Sequence, residues 1–168
     1  FCRYVPLLLE RGARVILEVP AALVSLLSSL SDSVRVIAAG EPLPAFDLQC
    51  PLLSLPWAFA TTAASIPSQV PYLHAPANVV EKWRHRLGPR AKPRIGLVWS
   101  GSGKILRDQR SAGLARFRPL LDLDCDFVCL QKELSEADRE ALSRLPRLRE
   151  FSGEIQDFSD TAALCELM

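Results

Sequence analysis

Metal-ligand patterns are missing from this chain. Its five cysteines form no Cys-x-x-Cys pair, and neither His74 nor His85 stands at ligand spacing from them. No metal site is therefore expected. An odd cysteine count also argues against a disulfide framework. Cys2, Cys50, Cys125, Cys129 and Cys165 read mostly as small core residues of a protein from a reducing, cytoplasmic compartment. Long apolar runs are missing too. Stretches such as Ala21–Leu27 are too short to span a bilayer and are broken by Ser. No basic start precedes an apolar run, so no signal peptide is visible. Eight glycines in 168 residues exclude collagen, and a 49% hydrophobic composition excludes disorder. That length suits one ordinary domain or two small ones.

The formal net charge is only +1, but its distribution is uneven. Phe1 to Glu81 carries four basic and six acidic residues. Lys82 to Arg118 carries eleven basic residues against one acid, Asp108. Pro119 to Met168 carries five basic and twelve acidic residues. A central stretch at net +10 needs an anionic ligand, an internal acidic partner or full solvation.

Hydrophobic patterning predicts an α/β architecture with parallel sheets. Arg14–Val19 and Val34–Ala38 read as strands flanking a helix that Pro20 opens. Phe46–Cys50 reads as a third strand. The Pro- and Ser/Thr-punctuated segment from Pro51 to Pro76 follows, with a short helix over Leu52–Phe59. Asn78–Leu87 forms a helix whose apolar face is Val79, Val80, Trp83 and Leu87, ended by Gly88. A linker at Gly88–Pro93 divides the chain into subdomains 1–88 and 94–168. In the second, Arg94–Trp99 and Asp126–Leu130 read as strands and Leu148–Phe151 as a weaker one. Helices are expected over Leu114–Leu121, from Ser135 with an Asp138 capping box, and after Asp157 or Ser159.

Chemistry concentrates in the loop after the Ile95–Trp99 strand. Ser100, Gly101, Ser102, Gly103, Lys104, Arg107 and Arg110 combine close backbone approach with cationic donors, and a helix start follows near Ala112–Leu114. Together these suit a phosphate or diphosphate at the C-terminal edge of a parallel sheet. A solvated β–α loop can share this composition. The spacing fits neither a P-loop, since Ser102 stands where Lys is needed, nor a dinucleotide fingerprint, since Leu106 replaces the third Gly. Gln131, Lys132 and Glu133 leave the next strand at the same edge and could meet ribose, base or phosphate. Capping and solvation are the alternative. A nucleic-acid module would show Phe, Tyr or Trp interleaved among the cations, and none stands between Arg84 and Trp99.

Several segments occur together in order: Phe1-Cys-Arg-Tyr-Val-Pro-Leu-Leu8, Phe46-Asp-Leu-Gln-Cys-Pro-Leu-Leu-Ser-Leu-Pro56, Val70-Pro-Tyr-Leu73, Gly96-Leu-Val-Trp-Ser-Gly101, Arg110-Ser111 and Leu130-Gln-Lys-Glu-Leu134. In this the chain resembles the glycosyltransferase family 9 (heptosyltransferase)-like C-terminal domain of bacterial tetratricopeptide-repeat proteins. The resemblance implies a GT-B-like fold of two Rossmann-like subdomains and transfer of a sugar from a nucleotide-diphosphate-sugar, without metal or other cofactor. It places the donor phosphates at Ser100, Gly101, Ser102, Lys104 and Arg110, the nucleoside near Gln131, Lys132 and Glu133, and the acceptor near Gln49 and Pro51. The acidic base would precede Phe1 and a further nucleotide-binding segment would follow Met168, so the chain reads as a fragment truncated at both ends and inactive alone. The acceptor would be a protein or glycan, and tetratricopeptide repeats would lie upstream. The rival implication is a catalytically inactive GT-B-like interaction module.

Overall fold

A computed structural model describes residues 1–101 and 111–168. The chain divides into two units, Phe1–Pro76 and Ala77–Met168. Among the described residues, no helix is long and apolar enough to cross a membrane. All five cysteines are free thiols; Cys129 is buried in a core, Cys2 and Cys125 are partly buried against one, and Cys50 and Cys165 are exposed.

The first unit is built on one βαβ crossover. Helix α1 (Val5–Glu10) precedes β1 (Val15–Val19), α2 (Ala21–Leu27) and β2 (Val34–Ala38). The strands pair in parallel, Val15 opposite Val34 and Val19 opposite Ala38. Parallel pairing needs a crossover of this length, which α2 and a following 3-10 turn, Ser28–Leu30, supply. Val5, Leu17, Val19, Leu27 and Val34 form the core, joined by Leu9, Leu23 and Leu30. Phe1 is 55% exposed.

Phe46–Cys50 is not a strand. Pro44 and Pro51 bracket it and restrict its backbone, and its apolar alternation meets no neighbour: Leu48 is 91% exposed. The chain then forms a 3-10 turn (Leu52–Ser54) and a single turn of helix, α3 (Leu55–Ala58). Pro56 is tolerated because it lies in the first helical turn, where its missing N–H costs nothing. Helix α3 ends in a Schellman arrangement: Ala60 N–H donates to Trp57 O at 2.9 Å and Thr61 N–H to Pro56 O at 2.8 Å. Ala60 takes the left-handed position, φ 47°, that glycine usually fills.

The second unit opens with α4 (Ala77–Leu87) and continues with β3 (Arg94–Leu97), a nine-residue 3-10 helix (Leu114–Asp122), β4 (Asp126–Cys129), α5 (Glu136–Ser143), β5 (Leu148–Arg149) and α6 (Phe158–Glu166). The sheet order is β3-β4-β5, all parallel. Pro119 inside the Leu114–Asp122 segment removes a donor and keeps it in the 3-10 form rather than the expected α-helix. Layers cover both faces of the sheet. On one, Leu97, Phe127, Cys129 and Leu148 pack with Leu114 and Leu121 of the 3-10 helix and with Ala141 and Leu142 of α5. On the other lie α4 and α6, packed on each other. There Arg149 donates to Leu87 O at 2.9 Å, and a methyl added to Gly96 would come within 3.2 Å of Met168 Cγ.

Helix α4 belongs to the second unit, so the division falls at Pro76/Ala77 rather than at Gly88–Pro93. The cause is Trp83, fully buried and edge-on to Phe151. Its indole N–H donates to Asp160 Oδ1 at 2.7 Å, Lys82 reaches the same oxygen at 3.0 Å, and Gln156 N–H donates to Oδ2 at 2.8 Å. Gly88, at φ 74°, ends α4 where the sequence marks its stop.

Two stability outcomes are expected. Ala60→Gly removes the left-handed strain and raises stability by about 0.5–1 kcal/mol. Asp160→Ala strands a buried indole N–H and costs about 2–4 kcal/mol, against about 1 for Asp160→Asn, which keeps an acceptor. Urea unfolding followed by tryptophan fluorescence checks both.

Candidate functional site

Strands β3 and β4 leave the second sheet side by side, and side chains complete the ladder where the backbone stops. Leu130 N–H still donates to Leu97 O at 3.0 Å. One step on, the Gln131 side chain takes over. Its Oε1 accepts from Trp99 N–H at 3.3 Å and Ser100 N–H at 3.2 Å, and its Nε2 donates to Ser100 O at 3.0 Å. An amide that both accepts and donates acts here as an extra peptide group. Gln131 is only 6% exposed.

Trp99 is held on three sides. Besides Gln131, its carbonyl accepts from Ala112 N–H at 2.8 Å, and its indole N–H donates to Asp138 Oδ1 at 2.7 Å. Asp138 is the third residue of α5 and completes the capping box with Ser135, as the sequence indicates. Gly101 N–H donates to Ser111 Oγ at 3.3 Å. Gly101 and Ser111 are thus held together near the end of β3. The sequence-predicted donor residues Ser102, Lys104 and Arg110 fall between them in the sequence, outside the described residues.

The Ser100 and Gly101 amides, expected to face a phosphate, donate to Gln131 and Ser111. The start near Ala112–Leu114 is a 3-10 helix with Gly113 at its N-cap, and Ala112 N–H is engaged. Gln131 and Lys132, expected near a nucleoside, make internal hydrogen bonds. Lys132 Nζ donates to Ile155 O and, at 3.0 Å, to Gln156 O, fastening the end of β4 to the approach of α6. Glu133 is exposed and has no partner among the described residues. Sequence reasoning missed Trp99 and Asp138 as members of this lattice. The Ser135/Asp138 capping box and the tryptophan after an apolar strand were the available signals.

The basic stretch finds internal acids. Lys82 pairs with Asp160, Arg84 and His85 with Glu81, Arg86 with Glu154 at 2.7 Å, and Lys92 with Asp124. Helix α4 therefore carries its cations Lys82, Arg84 and Arg86 paired with acids. Its hydrogen bond to Arg86 holds Glu154 below the ordinary carboxylate pKa, as Lys92 does for Asp124. Burial pushes the Cys129 thiol up to about 11, so it is no nucleophile.

In the first unit, Gln49 and Pro51 are exposed within an irregular segment. Neither lines the cavity of about 600 Å³ whose walls include Arg3, Tyr4, Pro56, Thr61, Thr62 and Ile66. Arg3 is fixed there by a 3.0 Å bond to Pro67 O and by stacking on Tyr72. Among the described residues, no group of three His, Cys, Asp or Glu side chains could hold a metal ion. Comparison with protein-family models, curated proteins and solved structures finds no match to this chain.

Burial works to raise the pKa of Asp138, but hydrogen bonds from the Ser135 hydroxyl and backbone and from the Trp99 indole outweigh it, leaving the carboxyl below its ordinary value. The unfolded chain then takes up this proton at a higher pH than the folded one. Stability from Asp138 is complete above about pH 4 and is lost as pH falls through the lowered folded value. Urea midpoints between pH 7 and pH 3 are expected to fall less steeply for Asp138→Asn than for the wild type.

Proposed function

We propose that the second unit binds a nucleoside diphosphate at the C-terminal end of its sheet, as the donor half of a GT-B-like glycosyltransferase module that moves a sugar from a nucleotide-diphosphate-sugar to a protein or glycan. One observation carries this reading: Gly101 and Ser111 are held together at the C-terminal end of a parallel strand, and the sequence between them holds Gly103, Lys104, Arg107 and Arg110. Open α/β sheets bind ligands outside the carboxyl ends of their strands. With the Ser100 and Gly101 amides engaged, the loop interior supplies the anion contacts. Lys104 and Arg110 balance the charge that develops on the departing diphosphate, and no metal is assigned to the step. The acceptor lies with the first unit. Its cavity is lined by one cation, hydroxyls and apolar walls.

A second reading has its own support. Gln131 and Lys132 are consumed by internal bonds, and Leu48, Leu53, Trp57 and Val70 of the first unit stand 70–91% exposed. These features suit a GT-B-like module that binds a protein partner and performs no transfer.

Binding separates the two. Titration calorimetry with UDP, GDP and ADP at low salt is expected to show one-site binding of at least one of them, weakened tenfold or more by Lys104→Ala. No heat with any of the three removes the donor reading and leaves the interaction module. Unchanged affinity in Lys104→Ala removes the assignment of Lys104.

A further inference from the structure

The cavity of the first unit holds a cation without a counterion. Arg3 and Tyr4 reach it from the turn that precedes α1, and Pro56, Thr61, Thr62 and Ile66 reach it from α3 and the residues after it. Arg3 is half-buried. One of its N–H groups donates to Pro67 O at 3.0 Å, and its guanidinium carbon lies 5.0 Å from the centroid of the Tyr72 ring. These contacts fix its direction and leave its charge. No residue lining the cavity is acidic, and no carboxylate pairs with Arg3 among the described residues. Lys82, Arg84 and Arg86 of α4 form the contrast, each with an acid beside it.

Tyr4 is a second, independent sign. It is 4% exposed, yet its hydroxyl makes no hydrogen bond among the described residues. Nor is that hydroxyl sealed in: among the described residues, the buried polar side-chain atoms left without a partner are Arg94 Nε and Ser159 Oγ. A hydroxyl neither bonded nor sealed, on a buried residue that lines a cavity, opens into that cavity. The opposing residues are held in place. Thr61 N–H donates to Pro56 O at 2.8 Å, and Thr62 N–H donates to Ser65 Oγ at 2.9 Å.

The geometry points to a binding site for an organic acid, a single carboxylate on an apolar body. Arg3 takes the carboxylate through the N–H groups that Pro67 leaves free, as a planar guanidinium does with two oxygens at once. The Tyr4 hydroxyl donates one further hydrogen bond to the acid. Pro56, Ile66 and the ring of Tyr4 receive the apolar body. One cation in a partly apolar lining matches a monoanion, whereas a phosphate dianion would bring charge that nothing there balances. At about 600 Å³ the space suits a small molecule rather than a lone ion. In the transfer reading this is the group by which the first unit grips its acceptor. The binding itself does not require that reading, and a chain that takes no nucleotide still takes the acid.

The test titrates 1-naphthylacetate and its uncharged isostere 1-naphthylacetamide into the full chain at pH 7, by calorimetry. Wild type is expected to bind the acid about tenfold or more tighter than the amide, and tighter than 1-naphthyl phosphate. Tyr4→Phe removes one oxygen and keeps the ring against Phe59; it is expected to weaken the acid about threefold to tenfold. In Arg3→Met, acid and amide are expected to bind alike. No heat with the acid overturns the inference. Equal affinity of wild type for acid and amide overturns it as well, since the cavity is then merely an apolar hole. Tighter binding of the phosphate overturns the monoanion assignment. Unchanged affinity for the acid in Tyr4→Phe overturns this cavity as the place of binding, and that variant keeps both Arg3 contacts, so it decides the matter even where Arg3→Met does not fold. Nucleotide titration is a separate measurement: its failure removes the donor reading and leaves this site.

Discussion

A parallel sheet sends all its strands out at one edge, and there the backbone ladder stops with N–H and C=O groups still unpaired. In the second unit this constraint shapes nearly everything nearby. The chain meets it with side chains: Gln131 for the end of β3, Lys132 for the carbonyls before α6, and Asp138 for the Trp99 indole. Each reaches from one strand's exit to the next element, so the edge becomes a connected polar lattice on a packed apolar sheet. Fully satisfied networks of this kind rigidify what they hold. Here they hold Ser100 and Gly101 where the chain leaves β3 and Ala112 where the described chain returns to it.

Charge follows the same logic over longer distances. The central basic stretch and the acidic tail look like two separate features in the sequence. In the fold the tail is the stretch's counterion: Asp160, Glu154 and Asp124 come back onto Lys82, Arg86 and Lys92. Exposed pairs such as Arg86–Glu154 and Lys92–Asp124 contribute little stability individually. Their consequence is electrostatic subtraction: they reduce the positive field of the basic stretch.

What the sequence made legible was local. β1 and β2 announce themselves by β-branched residues, α4 by the spacing of Val80, Trp83 and Leu87, and the caps at Ser135 and Asp157 by side-chain chemistry that acts within a few residues. Readings that failed depended on partners far along the chain. Phe46–Cys50 has a strand's alternation, but no strand lies beside it. Leu114–Asp122 has a helical face, but Pro119 holds it in the 3-10 form. Gln131 looked like a ligand contact because an exposed glutamine after a strand often is one; that its amide would face Ser100 follows only from the β3–β4 register. Gly88-Pro89 is a true helix stop, and it resembled a domain boundary because nothing local reveals that Trp83 pairs with Asp160, 77 residues later.

That last pairing has a practical side. Anyone dividing this polypeptide for separate expression would be drawn to the proline-rich stretch before β3. A cut there would send α4 away with the wrong half. Phe151 would face solvent where Trp83 had covered it, and the Asp160 carboxylate would lose its indole and ammonium partners. The cleaner scissor point is the bond after Pro76, which keeps both sides of that helix–helix contact on one polypeptide.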